Sequence, residues 1–200
     1  MKKYGLILLL IVAAAYSKAQ NLVPNPGFET FRPSSAEYEF QNPQMDKSAP
    51  ACKGFANPLF RYSPAANWTI WLGSADCRSG VMTELIKAGS NCLPPWPNYV
   101  MGNVMHVKTT LGGSGIVNSD IPAGTAKVKI SCWVYVVKGA VEMGYGPTGS
   151  PLLSSVSTTS CKWQKLEITK SDDKAANQVI LYSKNTDAEF YVDAISVTAF

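Results

Sequence analysis

A single histidine, His106, stands in the whole of this 200-residue chain. Acid–base chemistry that runs on imidazole therefore has one candidate, and it lies in an apolar, strand-like stretch that reads as structural. Neither G-x-S-x-G nor H-E-x-x-H occurs, which removes the nucleophile elbow and the helical zinc motif. No two cysteines are spaced C-x-x-C, so the five of them (Cys52, Cys77, Cys92, Cys132 and Cys161) do not read as a metal cluster. No long segment carries a 3.6-residue apolar period, and the best helical candidate is the short stretch Gly80 to Ala88. There is no internal repeat and no linker composition, so nothing divides the chain into several domains.

Long apolar runs are also missing, save one. Gly5 to Ala15 follows Lys2 and Lys3 and is too short for the roughly 20 residues of a membrane helix. Ser17, Lys18 and Ala19 then offer the small side chains that a signal peptidase reads. Residues 1–19 are expected to be a signal peptide and 20–200 one secreted, soluble domain. The formal charge of +4 includes Lys2, Lys3 and Lys18, so the mature chain keeps +1. A nearly neutral protein gives no footprint for nucleic acid. An oxidising compartment permits two disulfides and leaves one cysteine over. Cys77 with Cys92 is the first choice, because it closes a loop of about 15 residues. Cys132 is expected either as a buried thiol or bridged to Cys161.

What the chain has in abundance is strand signal. Ala126 to Val137 is rich in β-branched and aromatic residues. After a turn at Lys138-Gly139, strand-like runs follow at Ala140 to Tyr145, Leu152 to Thr158, Trp163 to Thr169, Gln178 to Ser183 and Glu189 to Thr198. Turn residues separate most of them, which predicts an all-β, two-layer antiparallel sandwich. Residues 32–100 are rich in Pro, Asn, Ser and Gly and read as a long ordered loop insertion laid over one end or face. The run Leu111 to Gly115 reads as a loop. Gly144 to Gly149 fits G-x-G-x-x-G on paper, but no helix follows it, so it is not read as a phosphate cradle.

The mature chain opens Asn21-Leu-Val-Pro-Asn-Pro-Gly-Phe-Glu29 and closes Phe190-Tyr-Val-Asp-Ala-Ile-Ser-Val197. Between these ends lie Trp68 after a polar loop, Gly102 to Val107, Ala123-Gly-Thr125 before the aromatic strand at Trp133, and Trp163-Gln-Lys-Leu166. This order resembles the cellulase-C type carbohydrate-binding modules, which are jelly rolls. The resemblance covers residues 21–31 and 99–198 and, apart from Trp68, does not extend over 32–98. It implies a non-catalytic module that binds a polysaccharide or surface glycan. It also implies a structural Ca²⁺ held by Glu29 and Asp193, with Ala194 standing where the family often has a second Asp. The alternative for Glu29 is a carboxylate that accepts backbone N–H groups at its turn.

Sugar faces pack on flat aromatic rings. Trp71, Trp96, Trp68 and Tyr99 are the candidate ligand-binding residues of the loops, followed by Tyr135 on its strand. Trp133 shares a face with Tyr135, being two residues away. Trp133 and Trp163 are nevertheless read as core. Two rival functions stay open: a protein-interaction or adhesion module on the same fold, and a small jelly-roll hydrolase or lyase using two of the fourteen acids.

Overall fold

The computed structural model describes residues 20–31, 63–72, 81–88, 98, 100, 102–110, 112–122, 127–147, 153–158, 162–172 and 176–200. The expected signal peptide, Trp96, Tyr99, and Cys52, Cys77, Cys92 and Cys161 lie outside them. Among the described residues there are ten strands: β1 (Thr69–Leu72), β2 (Val81–Lys87), β3 (Asn103–Thr109), β4 (Ser114–Asn118), β5 (Val128–Lys138), β6 (Ala140–Gly146), β7 (Leu153–Thr158), β8 (Trp163–Lys170), β9 (Gln178–Ser183) and β10 (Glu189–Ala199). They form two five-stranded sheets, in the orders β1-β4-β9-β6-β7 and β2-β3-β10-β5-β8. All the pairings between them are antiparallel. The two-layer sandwich expected from the strand pattern is the fold. Among the described residues no helix is long and apolar enough to cross a membrane.

Alternation places the core. In β5, Val128, Ile130, Cys132, Val134 and Val136 are fully buried between the sheets. Their alternates Lys129, Ser131, Trp133, Tyr135 and Val137 point to the opposite face. The facing sheet contributes Ile70, Ile116, Val141, Met143, Tyr145, Val179 and Leu181. Lys138-Gly139 carries the chain from one sheet to the other. Gly139 has φ +76°, and a Cβ there would run into the backbone of Asp187.

Several expectations need correction. In the stretch read as helical, Val81–Lys87 is instead edge strand β2, with Val81 and Thr83 turned inward. Its pairing with β3 along all seven residues outweighs the helix-forming Met, Glu, Leu and Lys it contains. Residues 32–100 are not loop throughout, since β1 and β2 fall within them. The stretch Leu111 to Gly115 runs into β4, which starts at Ser114 and is held between β1 and β9. Of the two outcomes expected for Cys132, the free, buried thiol is the one found.

The N-terminal segment 21–31 is fastened by side chains more than by strand pairing. Asn21 pairs with Thr198 in an isolated bridge, and Leu22 N–H donates to Val197 O at 2.8 Å. The Asn21 amide donates to Ile195 O at 2.9 Å, and its Oδ1 accepts from Val197 N–H at 2.9 Å and Val23 N–H at 3.2 Å. Asn25 donates to Thr30 O and Ala66 O and accepts from Thr30 N–H, each at 2.9 Å. Asn118 donates to Pro24 O at 3.0 Å. Phe28, fully buried against Trp68 at 5.2 Å between ring centroids, anchors the segment in the core.

Candidate functional site

The outward face of the second sheet carries a row of side chains that crosses all five strands. Antiparallel register sets Glu84 of β2 opposite His106 of β3, His106 opposite Tyr191 of β10, Tyr191 opposite Tyr135 of β5, and Tyr135 opposite Trp163 of β8. With strands about 4.8 Å apart, the row spans roughly 19 Å. Its rings touch in sequence. His106 stacks flat on Tyr191 at 4.2 Å and 7°. Tyr135 meets Tyr191 edge-on at 6.4 Å, and Trp163 meets Tyr135 the same way at 5.8 Å. Trp133, Val137, Val104 and Ile86 pack around them, making a second apolar cluster outside the core.

The two tyrosines are 6–7 % exposed, because each has a ring on either side of it. Trp163 and Trp133 are only half-buried. This overturns the core reading of both tryptophans. A strand that is apolar on both faces does not reveal which face is inside, and here the β-branched and sulfur-bearing side chains take the interior.

The end of the row at His106 is polar. His106 Nδ1 lies 2.6 Å from Glu84 Oε1, and Nε2 lies 3.1 Å from Glu189 Oε1. Lys108 Nζ is 3.6 Å from Glu189 Oε2. His106 therefore has both ring nitrogens engaged by carboxylates. Among the described residues no cluster of three or more His, Cys, Asp or Glu is arranged to hold a metal ion.

Of the other expected ligand residues, Trp68 is 0 % exposed. Its ring lies in the core and its Nε1–H donates to Asn25 O at 3.0 Å, so it is a core residue and not a platform. Trp71 is not in a loop: it lies in β1 on the outward face of the first sheet, 8 % exposed, with Val117, Ile180 and Tyr182. Beside them Glu142, with burial, pushes the Tyr182 hydroxyl above the usual tyrosine range, burial being the larger cause. Sequence reasoning missed Glu84, His106 and Tyr191 as members of one site. No local signal marks them, since their alignment exists only once strands far apart in the chain are paired.

Glu29 and Asp193 line one cavity of about 530 Å³, together with Asn21, Pro26, Gly27, Gly102, Ala194, Ile195 and Ser196. Glu29 Oε1 accepts the Asn103 backbone N–H at 2.8 Å, and Oε2 accepts the Asn103 side-chain amide at 3.1 Å. Glycines cradle both carboxylates: a Cβ on Gly102 would land on Glu29, and one on Gly27 would sit 3.7 Å from Asp193 Oδ1. Asp193 is 2 % exposed. Two carboxylates lining one cavity are hard-oxygen donors of the kind Ca²⁺ takes, so the residues present suit that ion.

No family model matches this chain. No curated protein matches it either. Solved structures similar to it include a family 11 carbohydrate-binding module from Clostridium thermocellum in complex with a beta-1,3-1,4-mixed-linked tetrasaccharide. That match has 20 % identity and TM-score 0.46, covering 68 % of this chain and 90 % of the other. TmCBM61 in complex with beta-1,4-galactotriose is 15 % identical with TM-score 0.46, over 91 % and 100 % of the two chains. A CBM4 module is 12 % identical with TM-score 0.48, over 88 % and 98 %.

Proposed function

We propose that this protein is a secreted, non-catalytic glycan-binding module whose platform is the outward face of the second sheet. The observation that carries the reading is the cross-strand row Glu84–His106–Tyr191–Tyr135–Trp163, in register from one sheet edge to the other. Apolar ring faces flanked by carboxylates and an imidazole are what a polyhydroxylated ligand needs: C–H faces stack and hydroxyls hydrogen-bond. Trp163 and Trp133 supply the accessible rings, and Tyr135 and Tyr191 hold them in place. Both ring nitrogens of His106 lie within hydrogen-bonding distance of the protein's own carboxylates, which suits a structural role for the imidazole. We also propose that Glu29 and Asp193 hold a structural Ca²⁺, which would supply positive charge between two carboxylates and tie the N-terminal segment to β10.

The test is affinity electrophoresis or a glycan array with residues 20–200, using soluble and insoluble glucans, xylans, mannans and galactans. Trp163→Ala is expected to weaken binding by about tenfold or more, corresponding to about 1.4 kcal/mol. Trp71→Ala, on the other sheet, is expected to leave binding unchanged. A wild type that binds no glycan favours the protein-interaction reading. Loss of binding in Trp71→Ala alone moves the site to the first sheet.

A further inference from the structure

The row is not symmetric. One end is aromatic and half-buried, at Trp163 and Trp133. The other ends in Glu84, whose side chain is 53 % exposed on edge strand β2. Among the described residues His106 is the one partner of Glu84, and it engages only Oε1. Glu189 is different: it is 24 % exposed and lies between His106 and the Lys108 ammonium. The outermost charge at this end of the face is therefore a half-exposed carboxylate on the edge strand, with its second oxygen outside the contact to His106.

His106 makes that carboxylate a fixed group. The imidazole is 6 % exposed, lies flat on Tyr191, and is held from the far side by Glu189. A glutamate on an open edge strand would ordinarily sample several rotamers. Bonded to an immobilised ring, Glu84 keeps one oxygen in place and presents the other beside the row.

Resting on the glycan-binding reading above, we infer that Glu84 is a specificity determinant: it reads hydroxyl groups at the polar end of the row and selects uncharged glycans against acidic ones. A carboxylate only accepts, and hydrogen bonds from hydroxyl donors to it are among the stronger ones. A sugar hydroxyl can donate. A uronate carboxylate in the same place cannot, and it brings a like charge next to Glu84. His106 acts through Glu84 and Tyr191 as a positioning residue.

The experiment uses the neutral glycan that binds best in the panel and its C6-carboxylated form, with residues 20–200 and isothermal titration at low and high salt. The wild type is expected to prefer the neutral form by about tenfold at low salt, with the preference shrinking at high salt as charge is screened. Glu84→Gln keeps the shape and is expected to remove most of the discrimination. Glu84→Lys is expected to reverse it. His106→Gln is expected to lower both the affinity for the neutral glycan and the discrimination, since Glu84 is then untethered. Melting curves of each variant establish that it is folded; an edge-strand surface position tolerates both changes at Glu84. Equal binding of the two glycans by the wild type, or an undiminished preference in Glu84→Gln, overturns the inference while leaving the glycan-binding reading intact. A wild type that binds neither glycan overturns both.

Discussion

Gly102 shows how one backbone position governs its surroundings. It has φ +74°, where side chains other than glycine are strained, and a Cβ would strike the Glu29 carboxylate. Glu29 cannot easily yield, because Asn103 holds both its oxygens. Gly102→Ala is expected to destabilise the protein by about 1–3 kcal/mol in urea denaturation. Adding Glu29→Ala relieves the clash and leaves the φ strain, so the double variant should lose less than the sum of the two single changes. Cys132 offers a second test at this scale. Burial in the core pushes its thiol well above the ordinary cysteine range. Native protein is expected to leave Cys132 unmodified by iodoacetamide, with labelling appearing only in denaturant; peptide mass spectrometry reads the outcome.

Among the elements, the N-terminal segment is the most instructive, because it is ordered with almost no ladder of its own. Asn25, at φ +50°, closes it with three side-chain hydrogen bonds and offers its carbonyl to the buried Trp68 indole. Asn25→Ala removes those three bonds and puts alanine in the left-handed region, so a loss of about 2–3 kcal/mol is expected from denaturant melts. The Pro-Asn-Pro-Gly-Phe sequence marks this segment as a turn, and it is one. The strands from Val128 onward are equally legible, because alternation, β-branching and turn residues agree there. β2 and β4 are not. β2 mixes helix formers with apolar residues at near-helical spacing, and only its pairing with β3 decides the matter. β4 opens on Ser114-Gly115, which has no strand signature, and gains its form from neighbours on both sides. Of the candidate row, sequence reasoning singled out only Tyr135. The row's other members sit at positions 84, 106, 163 and 191, and their alignment follows from a strand order that a single sequence does not display.

At the scale of the whole molecule, the two ends of the domain meet. Asn21 and Val197 are joined by a hydrogen bond across 176 residues, and the cavity of Glu29 and Asp193 lies at the same junction. An ion there would bind the folded chain alone. Calcium at about 100 times its dissociation constant would add about 2.7 kcal/mol, or a rise in melting temperature of roughly 5–10 °C for a domain of this size. Differential scanning calorimetry with calcium and with a chelator is the measurement, and Glu29→Gln is expected to abolish the response. No shift in wild type would leave Glu29 as a carboxylate serving Asn103 alone.

The same molecule carries its own spectroscopic reporter. His106 is the sole imidazole in the chain and sits at the junction of the polar and aromatic parts of the proposed platform. Its ring resonances need no assignment by mutagenesis, and the flat Tyr191 ring beside it makes their chemical shifts sensitive to small movements. A ligand that settles on the row has to displace those signals, whereas one that docks on the first sheet leaves them where they are. Selective labelling of one amino-acid type thus turns a search for an unknown ligand into the observation of a single ring.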